Sequence, residues 1–354
     1  MRTYVTLDGL RGVAALSIVV LHCYRYFGDM TWSSAALAVD LFFVLSGFVL
    51  AYAYESKLPG GSGSFLKARL IRLYPLYLVG TLLGMIEALA TIKYGAGSIP
   101  WTWTKFWTSL PFALAMLPTP GPLYPFDGVM WSIFFELFIN TIWAVFWRPL
   151  QSTPVLVAVI VSSAIGLTLS VVYTGTMVGL GTAWVYFLGG AFRVSYSFFL
   201  GVLLFRFHTR WKLPKFPPIL LIGALPILLF LPMPSFVQLT IALFVLPWFV
   251  LLGSQVEPNG WLQTLARQIG IASYAVYAIH KRLYALTYGF VSYVLHIDLQ
   301  PFAPWVGILF VALLIPGCLL LNRWIDVPLR RWLSQRLGQP MKGAARREEA
   351  TQAP

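Results

Sequence analysis

Long apolar stretches recur along the whole chain, and they constrain its fold more strongly than any other feature of the sequence. A soluble domain has roughly a quarter of its residues charged, whereas 10% of these 354 residues are charged and 58% are hydrophobic. Because lipid cannot satisfy exposed backbone groups, such a chain predicts an all-α, polytopic bundle of transmembrane helices. The ten candidate crossings are residues 10–26, 39–54, 73–92, 129–146, 155–173, 183–205, 219–231, 236–252, 269–290 and 304–321.

The charges of the connecting loops predict how these segments are oriented. Lys and Arg gather in alternate loops, of which residues 206–215 are the most basic, and the loops between them are nearly uncharged. The positive-inside rule therefore predicts ten crossings with both termini cytoplasmic. An eleventh apolar stretch, 106–117, contains Pro111 and is not expected to cross, because one more crossing would place the basic 206–215 loop outside.

We expect one membrane domain over residues 1–336 and a disordered cytoplasmic tail over residues 337–354. The formal net charge of +13 lies mainly in short loops and this tail, which suits anionic membrane lipid and gives no reason to expect nucleic acid. Both cysteines lie in apolar segments, so neither a disulfide framework nor a metal site is expected. The predicted location is the cell membrane, as a multi-pass protein.

Two ionisable residues of the first segment, Arg11 and His22, are candidates for a functional role. They are eleven residues apart, with only uncharged residues between them. On an α-helix this is almost three turns, or about 16 Å of rise, so the two side chains share one face at different depths. A histidine inside a membrane helix is often only hydrogen-bonded to a neighbour, but its alignment with Arg11 favours a function.

Four more ionisable residues lie in or at the ends of predicted membrane segments. Asp40 opens the second segment, Arg69 and Arg72 stand at the cytoplasmic end of the third, and Glu136 lies within MWSIFFELF. A charge at the bilayer centre costs at least ~2.5–3.5 kcal/mol, so each needs a partner or a task. The structural alternatives are interfacial anchors for the arginines, a helix cap at Asp40, and an ion pair of Glu136 with Arg193.

A late segment, SYAVYAIHKRLY, carries the densest group of polar side chains. Ser273, Tyr277 and His280 share one helix face by their spacing of four and three residues. Lys281 and Arg282 follow near the middle of the predicted crossing, which no lipid-facing helix tolerates, so we expect them to line an aqueous cavity. The candidate residues for this cavity or for acceptor binding are Tyr274, Tyr277, His280, Lys281, Arg282 and Arg193.

Together these motifs resemble the acyltransferase family 3 membrane proteins, which modify polysaccharides, lipopolysaccharide, peptidoglycan and some small molecules. The resemblance covers almost the whole chain. It rests on LDGLRGVAALSIVVLH, VDLFFVLSGFVL, ARLIRLYPLY, MWSIFFELF, RVSYSFFLG, SYAVYAIH and DVPLRRW. One departure concerns the late histidine, which family members often follow with an apolar or proline-containing run, whereas here Lys281 and Arg282 follow.

The resemblance implies a membrane O-acyltransferase that takes an acyl group, usually acetyl from acetyl-CoA at the cytoplasmic face. The group passes to a hydroxyl, usually on a sugar at the other face. The expected partners are therefore an acyl-CoA donor, a carbohydrate acceptor and membrane lipid. No cofactor is expected, because acetyl-CoA acts as a substrate.

The resemblance makes Arg11 and His22 the family's essential pair and Arg69 and Arg72 its second arginine motif, and from these positions we assign each residue a role. Arg11, Arg69 and Arg72 are expected to bind the anionic part of the donor, since guanidinium groups match phosphate geometry. His22 is expected to act as general base on the acceptor hydroxyl. A carboxylate, Glu136 or less favourably Asp40, is expected to orient its imidazole.

The competing hypothesis is a transporter or channel, because buried His, Glu and Arg also form proton relays. The sequence lacks an inverted-repeat signal and a pair of short Gly/Pro-broken segments, which counts against it. A structural or sensor membrane protein would leave the alignment of Arg11 with His22 unexplained.

Overall fold

The computed structural model describes residues 4–30, 33–58, 61–95, 100–211 and 213–337, and within these ranges the chain forms helices and no strand. Residues 338–354 of the predicted tail lie outside the described residues. The helices are α1 (Val5–His22), α2 (Ala38–Tyr54), α3 (Ser62–Tyr94), α4 (Trp103–Leu114), α5 (Met130–Val145), α6 (Trp147–Leu150), α7 (Thr153–Thr174), α8 (Phe187–Phe207), α9 (Pro218–Phe230), α10 (Ser235–Thr240), α11 (Leu246–Gly253), α12 (Gly260–Gly289), α13 (Trp305–Leu321) and α14 (Val327–Arg336).

The prediction of an all-α, polytopic membrane fold is confirmed. Seven of the described helical segments are long and apolar enough to cross a membrane, and α5 and α9 are shorter apolar helices. The tenth predicted segment lies in α12, which carries Lys281 and Arg282. Each predicted crossing therefore coincides with a helix, while the number of crossings and the side of each terminus stay predictions.

Helix α4 occupies the eleventh apolar stretch. Its 12 residues span about 18 Å, which is too short for a hydrocarbon core of about 30 Å. It packs through a small apolar cluster of its own onto the outer part of α3 and the loop before α5; the buried members are Met85, Ala88, Trp101, Phe106, Ala113 and Phe126. This packing places α4 against the C-terminal part of α3, which is the outward side in the predicted topology.

Glycines set the closest helix contacts in the bundle. A Cβ atom on Gly47 of α2 would lie 1.9 Å from the carbonyl oxygen of Phe198 in α8, and one on Gly201 would lie 2.1 Å from that of Val44. A Cβ on Gly12 of α1 would likewise meet Ile269 of α12 at 2.4 Å. Small residues at these contacts let the backbones approach, which is how membrane helices gain packing energy.

The ends of helix α8 provide a matched test of the topology. Thr182 precedes α8 and Thr209 follows it, and both are exposed. We expect a membrane-impermeant maleimide to label Thr182→Cys in intact cells and Thr209→Cys only after lysis, because Arg206 and Arg210 mark the cytoplasmic end. The native Cys23 and Cys318 are buried and should give little background. Labelling of both sites in intact cells would contradict the predicted orientation.

Candidate active site

His22 and His280 form the centre of the candidate site. His22 is the last residue of α1, and its Nδ1 lies 2.8 Å from Nε2 of His280 on α12. The two rings meet edge to edge through this hydrogen bond, with centroids 5.1 Å apart and 24° between their planes. His280 is fully buried and His22 is partly buried, so the pair sits at the edge of the protein interior.

Backbone carbonyls determine which nitrogen of each imidazole carries the proton. Nδ1 of His280 lies 2.9 Å from the carbonyl oxygens of Val276 and Tyr277, which can only accept. A neutral His280 therefore carries its proton on Nδ1 and leaves Nε2 bare to accept from Nδ1–H of His22. His22 is then left with an unprotonated Nε2, which is the atom that a general base needs.

Arg11 lies on the same helix pair, nearer the start of both helices. Its guanidinium donates to Asp8 (2.9 Å), to the carbonyl of Gly270 (2.9 Å) and to Ser273 (3.0 Å). The Arg11 side chain remains 38% exposed. Helices α1 and α12 thus carry both Arg11 and His22 along one shared interface, with about 16 Å of rise between them.

Arg69 forms an ion pair with Glu136, a carboxylate that was expected to lie beside His22 or Arg193. Its Nη2 lies 2.5 Å from Oε1 of Glu136 on α5, and the same oxygen accepts from Ser46 of α2 at 3.2 Å. Glu136 is therefore engaged with Arg69, and the structure corrects two hypotheses for it, the orientation of His22 and the ion pair with Arg193. His280 takes the position beside His22 that was expected for a carboxylate.

Asp40 is engaged in a buried ion pair with Arg193. Two nitrogens of Arg193 donate to the two carboxylate oxygens at 2.8 and 2.6 Å, and both side chains are fully buried. Arg193 also donates to the carbonyls of Ala36, Met177 and Leu180. With its donors directed to these acceptors, Arg193 ties α8 to the start of α2. The structure thus corrects the expectation that Asp40 orients His22 and that Arg193 lines an acceptor cavity.

Arg72 lies against α12 and the last helices of the chain. Its guanidinium stands 5.2 Å from the ring of Tyr274 and 3.5 Å from the carboxylate of Asp326, which also binds Arg330 at 2.8 Å. The Tyr274 hydroxyl donates to the carbonyl of Leu73 at 2.6 Å. Arg11 and Arg72 therefore contact consecutive residues of α12, Ser273 and Tyr274, which brings two of the three predicted donor-binding arginines to one region.

Tyr277 and Arg282 connect α12 to the start of α5 and to the loop before it. Tyr277 shares a hydrogen bond of 2.6 Å with Ser132. Arg282 is buried and binds Glu87 of α3 at 2.5 Å and Asp127 at 3.2 Å. Burial raises the pKa of the Asp127 carboxyl, against the opposite influence of its cationic neighbours Arg282 and Lys281.

An open cavity of about 310 Å³ lies on the side of the bundle where these outward loops meet. Of the predicted cavity group, Lys281 and Arg282 line this cavity, whereas Tyr274, Tyr277 and His280 do not. His22 is not among the lining residues either. The remaining wall comes from α4 and two loops and consists of Lys105, Gly121, Pro122, Leu123, Tyr124, Pro125, Gly128, Thr182, Ala183 and Trp184. Lys281 stands one residue after His280, so α12 carries both the cavity wall and one member of the histidine pair.

Sequence reasoning identified these polar residues but not most of their pairs. It missed Lys105 and Trp184 of the cavity wall, and it missed the carboxylates Glu87, Asp127 and Asp326. Asp127 and Lys105 lie in a long loop region and α4, where spacing along the chain predicts no spatial neighbour. Among the described residues no group of His, Cys, Asp and Glu has an arrangement that could hold a metal ion.

The fold and this site define a helical membrane protein with a hydrogen-bonded histidine pair between two regions of cationic side chains. A family model for an acyltransferase domain, Acyl_transf_3, matches residues 4–323. The chain therefore belongs to the acyltransferase 3 family and is a membrane acyltransferase.

Two curated relatives are similar over part of the chain. "Protein 2 in picA locus" of Rhizobium radiobacter is 42% identical over 159 residues, which are 40% of this chain and 81% of the relative. "Acyltransferase MdmB" of Streptomyces mycarofaciens is 30% identical over 162 residues, 42% of this chain and 41% of the relative. No solved structure matches.

The Asp40–Arg193 pair predicts a loss of stability when Asp40 becomes Asn. The change leaves a buried guanidinium without its counter-charge, which costs roughly 3–5 kcal/mol. We expect a lower midpoint of thermal unfolding and a lower yield of purified protein, with specific activity per folded molecule retained. Asp29→Asn is the matched control, because Asp29 is exposed and should change stability by about 0.5 kcal/mol at most. Full stability with lost activity in Asp40→Asn would instead assign Asp40 to the chemistry.

Proposed function

We propose that this acyltransferase moves an acetyl group from acetyl-CoA, bound from the cytoplasmic side, to a hydroxyl of a sugar or glycan at the opposite face. The observation that carries the proposal is the hydrogen bond between His22 and His280 at the end of α1. It leaves Nε2 of His22 bare, on the same helix interface that carries Arg11 about three turns away. A substrate that spans both positions needs an anionic end and a reactive end, and acyl-CoA has this form.

The proposed reaction uses His22 first as a base and then as an acid. Nε2 of His22 takes the proton of the acceptor hydroxyl while the hydroxyl oxygen forms a bond to the thioester carbonyl carbon. The tetrahedral intermediate then breaks its carbon–sulfur bond, and the CoA thiolate receives the proton from His22. The products are the acetyl ester and free CoA, and His22 returns to its neutral state.

His280 is a positioning residue in this proposal. Its Nδ1–H is fixed by two carbonyls of its own helix, so its bare Nε2 holds Nδ1–H of His22 and aims the other nitrogen outward. In other enzymes a carboxylate performs this orientation. A neutral imidazole orients the base without placing a carboxylate charge beside it in the protein interior.

The donor end of the proposal concerns Arg11, Arg69 and Arg72. Each has a carboxylate partner, namely Asp8, Glu136 and Asp326. Donor phosphates would therefore bind by adding to these pairs or by replacing a carboxylate. Arg11 and Arg72 keep 38% and 33% of their side chains exposed, and Nε of Arg69 is buried with no hydrogen-bond partner among the described residues. The N–H groups of these arginines are donors that phosphate oxygens can accept from.

A single vesicle experiment tests both the transferase proposal and the transporter hypothesis. Purified protein in lipid vesicles should release free CoA thiol from acetyl-CoA when a membrane glycan fraction is supplied, and should form a labelled ester from the radioactive acetyl group. Longer acyl-CoA esters in parallel reactions define the acyl group. Movement of acetyl-CoA or of protons across the vesicle without ester formation would support a carrier and overturn the proposal.

Replacement of His22 by Gln should abolish transfer without preventing folding. Gln keeps a polar side chain but has no nitrogen that takes a proton, so we expect a fall of about 10²–10⁴-fold in transfer rate. Binding of CoA, measured by calorimetry, should remain near the wild-type value. His296→Asn, in an exposed outer loop, is the control histidine replacement and should transfer at the normal rate. Near-normal transfer by His22→Gln would exclude His22 as the base.

Replacement of His280 separates positioning from chemistry. His280→Ala removes the acceptor for Nδ1–H of His22, and we expect kcat to fall roughly 10- to 100-fold with little change in the KM for acetyl-CoA. The amide oxygen of Gln can occupy the place of Nε2, so His280→Gln should recover part of kcat. Equal loss in both variants, or a loss confined to protein stability, would contradict the positioning role.

A further inference from the structure

The cavity lined by Lys281 and Arg282 has an unbalanced charge. Three cations line it, Lys105, Lys281 and Arg282, and no carboxylate is among its lining residues. Arg282 is neutralised from behind by Glu87 and Asp127. Three positive and two negative side chains leave one net positive charge at the wall.

The unbalanced positive charge lies on Lys281. Its ammonium makes no hydrogen bond or ion pair with any other described residue, although its side chain is partly buried. Nζ lies 3.2 Å from the point where a side chain on Gly128 would begin, and Gly128 is part of the cavity wall. Lys105, in contrast, contacts the carbonyl of Pro100 at 3.3 Å and the ring of Trp101 at 4.9 Å.

An ammonium in this position costs free energy unless an anion or water compensates it. A surface lysine pays no such cost, because it can extend into solvent. Lys281 instead stays against a cavity wall, one residue from the imidazole that holds His22. This arrangement suits a ligand that brings its own negative charge into the cavity.

The donor phosphates do not suit this position. Arg282 is held by Glu87, which stands 18 residues after Arg69 on the same helix α3. That separation corresponds to about 27 Å of helix rise. An acyl-CoA whose phosphates bind near Arg69 and Arg72 therefore reaches the histidines with its uncharged thioester end, and the anion at Lys281 belongs to the other substrate.

We propose that the acceptor is an anionic saccharide, whose carboxylate or phosphate group binds Lys281 in this cavity while its hydroxyl faces His22. The proposal rests on the proposed transferase function. Trp184 also lines the cavity, and its indole N–H donates to the carbonyl of Thr119. In one cavity, the Trp184 ring offers an apolar face for a sugar ring, and the Lys281 ammonium offers a counter-charge for its acidic group.

Protection of a cavity cysteine tests this proposal without any catalysis. Thr182 lines the cavity and is exposed, so Thr182→Cys in purified protein can be alkylated by a small neutral maleimide. In nanodiscs of phosphatidylcholine, we expect glucuronate or glucose 6-phosphate to slow the alkylation and glucose at equal ionic strength to leave it unchanged. Comparison of the two acids shows whether carboxylate or phosphate is preferred.

The charge of Lys281 is then removed in the same background. We expect Lys281→Met to raise the concentration of acid that halves the alkylation rate by about tenfold or more, and Lys281→Arg to preserve most of the protection. Lys93→Met is the matched control, because Lys93 is exposed on the outer end of α3 and does not line the cavity. It should leave the protection unchanged.

Three outcomes would overturn the proposal. They are equal protection by glucose and the acids, undiminished protection in Lys281→Met, and protection by phosphatidylglycerol nanodiscs with no effect of the saccharides, which would assign the cavity to a lipid headgroup. The proposed transferase function fails separately, through absent ester formation from acetyl-CoA. A transferase that forms esters but shows no acid-specific protection keeps its function and loses the anionic acceptor.

Discussion

Helices α1 and α12 approach each other closely because glycines stand at their contact. A Cβ on Gly270 would meet the Cβ of Asp8 at 2.6 Å, and one on Gly12 would meet Ile269 at 2.4 Å. This approach lets Arg11 reach the carbonyl of Gly270 and lets His22 reach His280. The proposed path from the donor phosphates to the acceptor hydroxyl therefore depends on one helix pair. A bulky residue at either glycine would push α1 and α12 apart.

Charge neutralisation is the second constraint on this bundle. Arg193, Arg69 and Arg282 each have a carboxylate partner from another part of the chain, because an unpaired charge in a membrane interior is costly. Arg193 with Asp40 is sealed inside the protein, whereas Arg69 with Glu136 keeps partial exposure. The pairs thus fall into structural links and sites that a charged ligand can enter. Lys281 differs from these arginines because it has no carboxylate partner among the described residues, and in our proposal an anionic substrate neutralises its charge.

Much of the helical arrangement could be predicted from the sequence, because lipid allows few alternatives to apolar helices. All ten predicted segments lie in helices, and the stretch with Pro111 forms a short helix between α3 and α5. Arg11 and His22 share one interface because α-helix geometry fixes their relation. Glu136 shows where this reasoning ends, since its spacing from Ser132 defines a helix face but not the residue opposite it. His280 could be recognised as polar and buried, yet nothing in its surroundings in sequence indicates that it holds His22.

The sequence by itself determined the helical membrane fold, the apolar segment that each membrane helix contains and the position of each ionisable residue along its own helix. These follow from hydrophobicity and backbone geometry, which act over a few residues. The tertiary structure alone decided which charges neutralise one another, that an imidazole and not a carboxylate orients His22, and that Lys105 and Trp184 complete the cavity of Lys281. Those relations depend on helix rotation and on close contacts between segments far apart in the chain, and side-chain packing fixes them only when the whole bundle assembles.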